Sequence, residues 1–141
     1  MPSTLDQILT ILGTGLPVLL TQLGATVVLL GIGVAVYQAI TPFHERRLIA
    51  EGNVAAGVVL AGSILALAIP LAATLATSTV LADIVVWGLV ALVIQLVTFL
   101  VITLVFRGLK AGVEAGNVAA ALGLAAAQVA VALLNAGAMA G

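Results

Sequence analysis

Residues 16–40, 54–75, 84–106 and 118–140 form four runs without a single Asp, Glu, Lys, Arg or His. Each exceeds the about 20 residues that a helix needs to cross a hydrocarbon layer roughly 30 Å thick. With 64% hydrophobic and only 6% charged residues, against roughly 25% charged in soluble domains, the chain cannot clothe a globule in a wetted surface. Backbone groups in lipid must be satisfied internally, and runs of Ala, Leu and Val without two-residue alternation favour helices over a barrel. The sequence therefore predicts an all-α membrane protein with four transmembrane helices in a single domain, residues 1–141.

The charged residues gather between the runs. Arg46, Arg47, Arg107 and Lys110 fall in the first and third connections, whereas the amino-terminal segment and second connection carry only Asp6 and Asp83. The positive-inside rule places the basic connections in the cytoplasm and both termini outside. The same four basic residues are candidates for contact with lipid headgroups. No basic n-region precedes the first run, so it is read as a retained span. Residues 5–12 read equally as a short interfacial helix or as extra turns of the first span bent at Pro17. Thr41-Pro42 predicts a helix start, with Thr at N-cap and Pro at the first helical position. Arg47 with Glu51, and Lys110 with Glu114, stand four apart and can pair on helix surfaces.

Gly52-Asn53-Val54-Ala55-Ala56 recurs as Gly116-Asn117-Val118-Ala119-Ala120, each time opening an apolar run. The chain is expected to be two tandem two-helix repeats, about 16–76 and 84–140. Two runs per copy make both copies enter the membrane in the same sense, with Asn53 and Asn117 at one depth. Gly108, Gly112, Gly116, Ala120 and Gly123 form a row of small residues of the kind that lets helices approach in lipid. The fourth helix is accordingly expected to be the most tightly packed.

Inside the runs the polar groups are chiefly amides. Asn117, Gln128 and Asn135 lie within about 20° of one line down the fourth helix at 100° per residue. Gln95 is a partner for them on the third helix, and Asn53 sits at the entrance of the second. Such amides either join helices or line a polar pathway. Ile64 and Leu71 replace Gln128 and Asn135 in the first copy, so the stripe belongs to one half.

Catalytic constellations are missing. The single histidine, His44, offers too few ligands for a metal site, and the absence of cysteine excludes thiolate chemistry. No phosphate-cradling loop, nucleophile elbow or nucleic-acid-binding basic run occurs. No enzyme, cofactor or nucleic-acid partner is expected.

Thr41-Pro42, Glu45, Leu48-Ile49, the first Gly-Asn-Val-Ala-Ala, Pro70-Leu71, Trp87, Gln95, the second Gly-Asn-Val-Ala-Ala, Asn135-Ala136 and Met139 together resemble the domain-of-unknown-function 350 family, the YjfL-like bacterial membrane proteins. The resemblance extends over nearly the whole chain from the first span onward. Its most specific pieces are Thr-Pro-x-x-Glu and the ordered Gly-Asn pair. His44, where the family often has an acidic residue, and the Ala-rich fourth helix depart from the pattern. The resemblance implies a small four-helix protein of the bacterial inner membrane built from two repeats, and brings no activity with it. The expectation is a non-enzymatic membrane component, self-associating as a homo-oligomer or joining a membrane complex. The alternative is an ion channel or small-solute transporter lined by the fourth-helix amides.

Overall fold

The computed structural model describes residues 1–141 as six helices and no strand. They are α1 (Thr4–Ile40), α2 (Glu45–Ala50), α3 (Val54–Thr77), α4 (Leu81–Val105), α5 (Leu109–Glu114) and α6 (Val118–Ala140). The long helices α1, α3, α4 and α6 are apolar enough to cross a membrane. The short α2 and α5 carry the basic connections and mark one end of the bundle, the basic end.

Thr41 ends a helix rather than starting one. Its backbone is extended, and both its N–H and its hydroxyl donate to the Tyr37 carbonyl. The residue before a proline is pushed out of the α region, and Pro42 imposes that here; the next helix starts only at Glu45, after His44.

Each Gly-Asn pair closes one helix and opens the next. Gly52 and Gly116 adopt φ of 84° and 78°, which glycine tolerates because it has no Cβ. The following Asn N–H then reaches back to Leu48 in one case and Gly112 in the other, both at 2.8 Å. This is the Schellman end. The Asn side chain next caps the following helix, accepting from Ala56 N–H at 3.0 Å and Ala120 N–H at 3.1 Å.

α3 forms the centre, packed along α6 and touching α4 and α1. Its buried residues run from Ala55 and Val59 through Gly62, Ala66 and Leu67 to Pro70, Leu71 and Thr74. Gly62 sets the closest approach, since a Cβ there would overlap Ala125 of α6. Where α1 crosses α4, Leu92 lies over Gly33 and Leu29 over Gly88, so each glycine receives a leucine from the opposite helix.

The most buried helix is thus the second span and not the fourth. The row of small residues breaks because α5 ends at Glu114 and α6 begins at Val118. Gly108 caps α5, Gly112 meets Ala120, Gly116 turns the chain, and Gly123 faces open space.

α1 is one helix through Pro17, the extra-turns reading of its start. Its 37 residues measure about 56 Å, longer than the bundle. Residues 4–20 stand exposed, and Gln22 marks where α1 joins the fold by donating to the Thr79 carbonyl at 3.1 Å. Thr10, Thr14 and Thr21 turn their hydroxyls onto carbonyls four residues back.

Candidate functional site: a buried file of polar side chains

The connection after α1 folds back into the bundle. Phe43 and Glu45 are 4% and 3% exposed, so the chain tucks an aromatic ring and a carboxyl between the helix ends. The Tyr37 hydroxyl donates to Glu45 Oε1. Tyr37 is itself buried and packs edge-on against Phe99, with ring centroids 4.7 Å apart. Burial pushes the Glu45 carboxyl up to about 7, with the Tyr37 hydrogen bond pulling the other way. No Lys or Arg occurs on α1, α3, α4 or α6, so the spanning helices bring Glu45 no counter-ion.

Ser63 of α3 lies further from the basic end and is buried. Its hydroxyl donates to Gln128 Oε1 at 3.1 Å, and Gln95 Nε2 donates to the Gln128 carbonyl at 3.2 Å. All three side chains are buried. Gln95 Oε1 and Gln128 Nε2 are left without partners, as are Glu45 Oε2 at one end and Asn135 Nδ2 two turns beyond Gln128. Ala132, on α6 between Gln128 and Asn135, is fully buried.

Of the amides singled out from sequence, Gln95 and Gln128 meet, and Asn135 lies further along the same helix. Asn53 and Asn117 stand outside the file as helix caps. Asn53 Nδ2 also donates to the Val113 and Glu114 carbonyls, at 2.8 and 3.3 Å, and so fastens α5 to α3. Asn117 is exposed and makes only its cap. Tyr37, Glu45 and Ser63 were not singled out as site residues. The available signal was a lone tyrosine inside an apolar run, eight residues before a glutamate in a short connection.

The basic residues line separate grooves. Arg107 and Lys110 line a groove with Ile40, Pro42, Leu100 and Leu104, whereas Arg46 lines another beside His44 and Gln38. Arg47 is held by Glu51 at 2.8 Å. Lys110 and Glu114 make no such pair, and no group of three His, Cys, Asp or Glu gathers anywhere in the fold.

Four helices long and apolar enough to cross a membrane define a multi-pass, all-helical membrane protein. The chain belongs to the family described as Domain of Unknown Function (DUF350), which it matches over residues 11–139. It is similar to the UPF0719 inner membrane protein YjfL of Escherichia coli strain K12 and to the protein of the same name from Escherichia coli O157:H7. Each is 34% identical over 104 residues, which is 74% of this chain and 79% of the relative. No solved structure matches. The chain is a multi-pass inner-membrane protein.

Proposed function

We propose that the protein is a non-enzymatic membrane component whose buried polar file moves protons between the basic end and the middle of the membrane. The observation that carries this reading is the Glu45 carboxyl, folded into the bundle against Tyr37, with the buried Ser63–Gln128–Gln95 group further inside. A buried ionisable group without an opposite charge is costly, and such groups cluster at functional sites. Polar atoms without partners in lipid are costly too. A carboxyl and two hydroxyls each accept and donate, so with Tyr37 and Ser63 each releasing its own proton as it takes the next, a proton entering at Glu45 passes to a water that the amide oxygens hold as hydronium. The apolar step at Ala132 is then the barrier that a conformational change opens. In this reading the two hairpins are tandem repeats that enter in the same sense, with the basic end cytoplasmic and both termini outside.

The test is proton entry into vesicles holding a pH-sensitive dye under an imposed potential. Wild type should carry protons, Glu45→Gln should stop them, and Tyr37→Phe should slow them. Wild-type vesicles as tight as protein-free ones, or undiminished flux in Glu45→Gln, would overturn the reading.

Residues 4–20 of α1, apolar and uncovered, favour a second, compatible reading in which copies of the chain associate. Native mass after gentle extraction tests it. A single closed oligomer supports association, and a monomer removes it.

A further inference from the structure

At the end opposite the basic connections, a cavity of about 530 Å³ opens between α4, α6 and the end of α3. Its rim carries Asp83, Thr77 and Ser78, and its depth is lined by Val90 and Ile94. The eleven helical steps from Asp83 to Ile94 make it about 16 Å long. Two polar groups in it are unanswered. Asp83 has no ion-pair partner, and every basic residue lies at the other end of the bundle. Asn135 is 9% exposed and its Nδ2, a donor, has no acceptor. Trp87, which can face a cation with its ring, completes the wall.

From this juxtaposition we infer that the cavity holds a lipid whose headgroup carries a primary ammonium beside oxygen acceptors. The ammonium answers Asp83, a headgroup oxygen accepts from Asn135, and an alkyl chain follows Val90 and Ile94. A free amino alcohol phosphate offers the same polar groups, but the exposed apolar surfaces of Val90 and Ile94 favour the lipid. The site lies beyond the Glu45–Gln128 stretch, shares only Asn135 with the far end of the polar file, and goes beyond the proton reading.

Trp87 is the only tryptophan and reports directly. In vesicles, quenching of its fluorescence by a brominated-chain phosphatidylethanolamine should exceed that by the brominated phosphatidylglycerol. The difference should correspond to a roughly fivefold preference, the value of about 1 kcal/mol. Asp83→Asn, at an exposed position, and Asn135→Leu should each reduce that preference. Equal quenching by both lipids, or a preference unchanged in Asp83→Asn, would overturn the inference. No preferential quenching by the phosphatidylethanolamine, together with a Trp87 response to soluble phosphoethanolamine, would overturn the lipid as occupant and assign the site to the free headgroup. The readout is lipid association, so its failure leaves the proton reading standing.

Discussion

Glu45 makes the protein sensitive to pH. Its carboxyl moves from an ordinary 4.5 up to about 7 on folding, so between those values the folded chain holds more protons than the unfolded one. Stability is then full below about 4.5 and falls as pH rises through 7, by roughly 3 kcal/mol at most. Thermal unfolding in detergent should show this slope in wild type and lose it in Glu45→Gln. The two repeated asparagines are unequal despite identical neighbours. Either cap is worth about 1 kcal/mol, but Asn53 also fastens α5 through two carbonyls. Asn53→Ala should therefore cost about 1 kcal/mol more than Asn117→Ala in the same unfolding measurement. The caps were legible because Gly-Asn ahead of an apolar run is a local signal. The Tyr37–Glu45 contact was not, because a return of the chain through Pro42 brings together residues on opposite sides of a helix end.

At the scale of elements, the four spans were legible from length and lack of charge alone, and differ from the observed helices mainly at their ends. The short α2 and α5 were not, since six-residue helices leave no periodicity to read and depend on flanking turns. Small residues misled in one place for a physical reason. Spacing of four implies a face only while one helix continues, and Gly116 breaks it with φ of 78°. The residue that permits close packing is Gly62, against Ala125. Gly62→Leu should thus lower stability by about 1 to 3 kcal/mol. Gly123→Leu meets open space and should leave stability of the single chain unchanged. A fall in native mass for Gly123→Leu would place that face in an oligomer contact.

The whole molecule draws its interior from both halves without repeating it. Tyr37, Glu45 and Ser63 come from the first half, where the second has Val101, Leu109 and Ala127; Gln95, Gln128 and Asn135 come from the second, where the first has Gly31, Ile64 and Leu71. The buried polar side chains are therefore drawn from both halves of the chain. The amide part of the polar file was visible as a helical stripe, whereas its ionisable entrance required the fold. Current across a planar bilayer holding the wild-type protein under a pH gradient tests the central claim most directly. Proton movement predicts a reversal potential that shifts by about 59 mV per pH unit, the value for one unit charge, and is indifferent to potassium and chloride. A reversal potential that follows either of those ions, or the absence of any protein-dependent current, would contradict the account.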